Sequence, residues 1–147
     1  MMMRTVVIVG TLLLSVGAVV AEQDAVKEAQ ATMKANGKNA GALAAMVKGE
    51  KPYDQAAVDT ALAQFAETAR KLPTLFPDSM KGMQPEGDYR ISPKVWEDKA
   101  GFAEHAASFG KVVSDAKVKD LDSLKVTLPV IGKQCGGCHE TFRVKKG

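Results

Sequence analysis

The stretch Leu121-Asp122-Ser123-Leu124-Lys125-Val126-Thr127-Leu128-Pro129-Val130-Ile131-Gly132-Lys133-Gln134-Cys135-Gly136-Gly137-Cys138-His139 carries two patterns at once. Leu121, Leu124, Leu128, Ile131, Cys135, Cys138 and Phe142 recur alternately three and four residues apart, the signature of an apolar seam on an α-helix. The last five residues spell C-x-x-C-H, the attachment motif of a c-type haem. Each thiol can add to one vinyl group of the porphyrin, and the following imidazole can ligate the iron. On a helix Cys135, Cys138 and His139 share one face, so one flat macrocycle can meet all three. Both cysteines occupy core positions of the seam. Haem c and its iron are therefore expected inside a helical core.

Two duller uses of the motif fit poorly. A thioredoxin-like redox pair wants a strand before it, and no strand pattern precedes Cys135. A zinc site needs further ligands, but the chain has two cysteines and two histidines in all.

Upstream, the sequence is rich in Ala and Lys and reads as helix almost throughout. A first helix is predicted over about 24–48, with a stripe of Val26, Met33, Gly37, Ala40, Ala44 and Val47. Gly37 and Gly41 each cost about 1 kcal/mol relative to Ala, tolerable if something bulky lies against that face. Asp54 is the expected N-cap of a second helix carrying Val58, Leu62, Phe65, Ala69 and Leu72, ended by Pro73. A long irregular segment then runs to Ser92-Pro93, which should open a third helix reaching Lys117 through Phe102, Ala106, Phe109 and Val113. That connection exceeds the usual length between bundle helices, so it is expected to cover something, with Phe76 a contributor. The fourth helix starts near Asp120 or Asp122, and Pro129 should kink or restart it. Four amphipathic helices with two short connections and one long one predict an all-α, antiparallel up-down-up-down four-helix bundle with covalently bound haem.

The chain opens Met1-Met2-Met3-Arg4, followed by an uncharged apolar run and small residues up to Ala21, the pattern of a secretory signal peptide over residues 1–21. The run is shorter than the ~20 residues of a membrane span, so no stable anchor is expected. Residues 22–147 form one haem-binding domain, and a periplasmic location follows, because bacterial c-type haems are attached outside the cytoplasm. The 20 basic side chains against 17 acidic ones give a net charge of +3. That balance is too even for nucleic-acid binding, which needs a concentrated basic face. Arg143, Lys145 and Lys146 read as a solvated helix end.

A haem iron has two axial positions, and His139 takes one. His105 lies off the apolar stripe of its helix and reads as a boundary residue. Among the methionines, Met33 lies about 14 Å into the first helix and His139 about 10 Å from the end of the fourth, at matching levels of an antiparallel bundle. Met46 lies about 20 Å further along. Met80 and Met83, in the long connection at the same end, remain alternatives.

A C-x-x-C-H eight residues from the C-terminus, behind four helices, resembles the class II c-type cytochromes, the cytochrome c prime family. The likeness spans residues 22–147. It is nearest the low-spin cytochrome c-556 branch, through Gly49-Glu50-Lys51-Pro52-Tyr53-Asp54-Gln55-Ala56-Ala57-Val58-Asp59, Leu75-Phe76-Pro77-Asp78-Ser79, and Cys138-His139-Glu140 with Phe142-Arg143. The resemblance implies that Met33 is the second axial ligand. Many relatives carry an arginine near the haem where this chain has Ala29, so that residue's role does not transfer.

The expected function is that of a periplasmic one-electron carrier, not an enzyme, serving redox partner proteins. A His/Met pair fills both axial sites and keeps the iron low-spin. The alternative is a five-coordinate cytochrome c prime-like protein that binds NO or CO. A peroxidase reading lacks a distal acid–base histidine. Monomer and homodimer are both compatible with the bundle.

Overall fold

The computed structural model describes residues 16–83 and 85–147. Most of the expected signal peptide, residues 1–15, lies outside the described residues. Helix α1 spans Val16–Val47, α2 Gln55–Leu75, α3 Lys94–Glu97, α4 Lys99–Asp115 and α5 Leu121–Phe142. One 3-10 turn, Asp78–Met80, and two short strands, β1 Tyr89–Ile91 and β2 Arg143–Lys145, complete the described elements. The four long helices pack as a ring, α1 on α2, α2 on α4, α4 on α5 and α5 back on α1. This is the expected bundle.

Local chemistry sets the helix ends. Asp54 caps α2 by accepting from the Ala57 N–H at 3.2 Å. Asp120 and Ser123 form a reciprocal capping box at the start of α5. Gly49, at φ +77°, turns the chain out of α1 in a conformation that a side chain would strain. Inside, Phe65 and Leu124 are almost wholly buried, each contributing about 1.5–3 kcal/mol over an exposed position.

Several expected details are corrected. Pro73 does not end α2, which continues to Leu75. The proline removes one bond in the last turn, and burial of Leu72 and Leu75 holds that turn. α5 runs unbroken in register through Pro129. Lys125, the residue whose carbonyl loses its partner there, is exposed, as are Val126 and Val130, so water can replace the missing N–H. The third helix is two: Asp98 leaves helical geometry and recaps α4 by accepting from the Gly101 N–H at 2.9 Å. A Cβ at Gly101 would clash with that carboxylate.

The C-terminal basic cluster is not a helix end. α5 stops at Phe142, and Arg143–Lys145 pairs antiparallel with Tyr89–Ile91. The Arg143 guanidinium lies 3.9 Å over the Tyr89 ring. Lys146 reaches back to the same loop, its ammonium donating to the Pro85 carbonyl at 2.7 Å.

Candidate haem site

Burial along α2 and α4 is regular: Val58, Ala61, Phe65, Thr68 and Leu72 on one, Phe102, Ala106, Phe109 and Val113 on the other, all fully buried. The adjacent pair α1 and α5 differs. Between Thr32 and Leu43 no residue of α1 is fully buried, and between Ile131 and Phe142 none of α5 is. Each interval covers about 15 Å of helix. Met33, Cys135, Cys138 and His139 all lie within these intervals, and all four are half-buried.

Helices α1 and α5 pack together, and the two intervals border one loop. Gln30, one turn before Met33, donates to the Glu86 carbonyl at 2.7 Å. Pro85 and Asp88, beside Glu86, accept from Lys146, seven residues after His139. The beginning of one interval is thereby tied to the end of the other through a single loop. Counting from helix ends does not give this relation, because α1 is already helical at Val16 and α5 ends only three residues after His139. The loop supplies it instead.

The donor set suits a covalently held haem. Neither cysteine is in a disulfide. Burial pushes both thiols up, and Cys138 is raised further by Cys135. Burial, with the nearby Arg143 charge second, lowers the His139 pKa and favours the neutral imidazole, the form that ligates a metal. Among the described residues no cluster of His, Cys, Asp and Glu fits a bare metal ion. Nothing lies within 4 Å of a Cβ built at Gly37, Gly41 or Gly136, so no protein group presses on those faces. Gly37 and Gly41 are exposed, and the protein itself supplies no bulky neighbour for the face where one was expected.

The other methionines differ from Met33. Met46 is 4% exposed and Met80 0%, both closed into the core. Met83 is half-buried in the loop and, with Trp96, Ile91 and Val144, lines a cavity of about 340 Å³ that none of Met33, Cys135, Cys138 or His139 touches. His105 is a boundary residue as expected, half-buried, its ring edge-on to Phe142 at 5.6 Å. Phe76 packs edge-on against Phe102, and Trp96 pins the loop by donating to the Phe76 carbonyl at 3.1 Å.

Sequence reasoning missed Asn36 and Thr68. Thr68 is fully buried in α2 and donates to Asn36 Oδ1 at 2.9 Å, while Asn36 Nδ2 donates to Met33 Sδ at 4.0 Å. Apolar periodicity cannot find polar residues. The available signal was the Asn at i+3 from the methionine.

The family model described as Cytochrome C' matches residues 24–143. A cytochrome c-556 of Rhodopseudomonas palustris is 54% identical over 99% of this chain and 100% of its own length. A cytochrome c' of the same organism is 39% identical over 99% of both chains. The NMR-validated structural model of oxidized R. palustris cytochrome c556 superposes with a TM-score of 0.75 at 55% identity, covering 85% of this chain and 99% of that one. The bundle, the C-terminal C-x-x-C-H and these full-length likenesses together establish that the chain belongs to the cytochrome c' family of c-type cytochromes.

Proposed function

We propose that this protein is an exported, low-spin electron carrier with Cys135 and Cys138 as the thioether anchors, His139 as one axial ligand and Met33 as the other. Family membership makes haem c with its iron the cofactor. The observation that carries the ligand assignment is the matched interruption of core burial on α1 and α5. All four proposed residues lie in it, whereas Met46 and Met80 are spent on packing.

Bound haem supplies reversible one-electron chemistry at its iron. The chain's part is to hold and insulate it. Cys135 and Cys138, on one face of α5, would hold the haem to that helix. His139 and Met33 would ligate its iron, and the soft Met33 thioether would favour the ferrous state. The packed rings of α2 and α4 resist rearrangement when the charge changes. Residues 1–21 act as the export signal, cleaved near Ala21 to leave the haem domain 22–147 in the periplasm. No helix among the described residues is long and apolar enough to cross a membrane. Redox proteins are its partners.

The 39% identical relative named cytochrome c' keeps a five-coordinate, gas-binding protein as the competing reading. Optical spectra of the purified protein separate the two. The carrier gives low-spin spectra in both oxidation states and a ferrous form slow to take up carbon monoxide. A high-spin ferric spectrum with immediate carbon monoxide binding selects the gas-binding reading.

A further inference from the structure

Among the described methionines, Met33 is the one whose sulfur has a polar hydrogen-bond partner, and that partner is itself held from a second helix. Asn36 stands one turn after Met33, so its side chain overlies the same face. Its Nδ2 donates to Met33 Sδ at 4.0 Å. Its Oδ1 accepts from Thr68 Oγ1 at 2.9 Å and from Gln64 Nε2 at 3.4 Å. With both α2 donors on the oxygen, the amide nitrogen is the end turned to the sulfur. Thr68 is 1% exposed, a polar side chain in the middle of an apolar stripe. Burying a hydroxyl is costly without a partner. A valine of the same shape would fill the space without that demand.

We infer that Thr68 and Asn36 form a positioning relay that aims and polarises the Met33 thioether, and so tunes the reduction potential of the haem. The inference rests on Met33 being an axial ligand. Thr68 has one hydroxyl hydrogen, shared between Asn36 Oδ1 and the Gln64 carbonyl at 3.0 Å. Donation to Asn36 fixes the amide plane. A thioether bonded to iron keeps one lone pair, and an N–H directed at that pair draws electron density from the sulfur. The donor then stabilises ferric iron less, while the softer ferrous iron loses little. The relay therefore raises the potential, and removing it lowers the potential. Asn36 and Thr68 act through Met33 and touch neither the porphyrin nor the iron in this scheme.

The test uses purified holo-protein and its Asn36→Leu, Thr68→Val, Thr68→Ser and Met33→Ala variants. The readouts are midpoint potential by spectroelectrochemical titration and the sulfur-to-iron charge-transfer band of the ferric form. Asn36→Leu should lower the potential and shift the band. Thr68→Val should shift both in the same direction by less, and Thr68→Ser should restore wild-type values. The double variant Asn36→Leu/Thr68→Val should match Asn36→Leu alone, because Thr68 works through the amide. A merely structural pair would change melting temperature and leave potential and band untouched; that result overturns the relay. If Met33→Ala itself leaves the wild-type spectrum unchanged, the ligation fails first and takes the relay with it.

Discussion

Phe142 at the end of α5 meets Phe102 of α4 edge-on, with ring centroids 5.1 Å apart. Phe102 meets Phe76 in the same manner at 5.7 Å, and His105 meets the other side of the cluster through Phe142 at 5.6 Å. The last turn of α5, which carries His139, is therefore anchored by a fully buried aromatic three residues further on. Edge-to-face pairs add about 0.5–1.5 kcal/mol to the gain from burial. Phe142→Ala should destabilise the holo-protein by about 3–5 kcal/mol in chemical denaturation, and Phe142→Leu by clearly less. Equal losses for the two would mean that ring geometry and cavity size do not govern this anchor.

The capping box at Asp120 gives a pH dependence with a definite sign. The Ser123 backbone N–H, then its hydroxyl, hold the Asp120 carboxyl below its ordinary value of 3.8. A depressed folded-state pKa stabilises the protein above the unfolded pKa, and that contribution disappears as pH falls through the folded one. Wild type should accordingly melt higher than Asp120→Ala at neutral pH, with the gap narrowing below about pH 4. The site is exposed, so the effect is small and is read as a difference in melting temperature across pH. A gap that widens on acidification would contradict the cap's charged role.

Attachment is tested by mass. Acidic, denaturing extraction should leave haem on the polypeptide, and the intact mass should correspond to a chain beginning near Glu22 plus one haem. Free haem together with two alkylatable thiols would remove Cys135 and Cys138 from their assigned roles.

The interrupted burial on α1 and α5 also bears on folding. A group that covers both intervals contributes buried area that the polypeptide alone does not have, and unfilled space costs stability in proportion to its volume. Cys135→Ala combined with Cys138→Ala should lose most of its helical circular dichroism or fail to accumulate. Cooperative, native-like melting of that double variant would show that the bundle stands without its cofactor.

Helices, their order and the motif were legible because each is a periodic or fixed-spacing signal: the α5 seam, the Asp54 cap and C-x-x-C-H all appear where expected. Part of what the sequence hid was non-local. β1–β2 pairing joins residues more than fifty apart, and three-residue strands carry no detectable alternation. Asp98 reads as an ordinary helix residue until its carboxylate is seen on the Gly101 N–H. Pro73 and Pro129 read as breaks, because propensity counts the lost bond and not the packing or water that compensates it. Thr68 sits one position before Ala69 of the expected stripe; the buried face of α2 runs through Ala61, Phe65, Thr68 and Leu72 instead, and bonds to Asn36 Oδ1 and the Gln64 carbonyl satisfy the inward hydroxyl. The proposal for Met33 rests on family likeness and on its half-buried place in α1; the Gln30–Glu86 and Lys146–Pro85 bonds tie the neighbouring ends of α1 and β2 to one loop.

The most direct measurement is the absorption spectrum and potential of Met33→Ala beside Met46→Ala, Met80→Ala and Met83→Ala. Loss of Met33 should convert a low-spin haem to a high-spin, five-coordinate one, lower the reduction potential and open the iron to carbon monoxide. Met46→Ala and Met80→Ala remove buried side chains, so they should cost about 2–5 kcal/mol of stability and leave the haem low-spin. Met83→Ala should leave it low-spin as well. A low-spin spectrum that survives Met33→Ala and vanishes in Met80→Ala or Met83→Ala would put the axial sulfur in the loop and contradict the pairing of α1 with α5 across the haem.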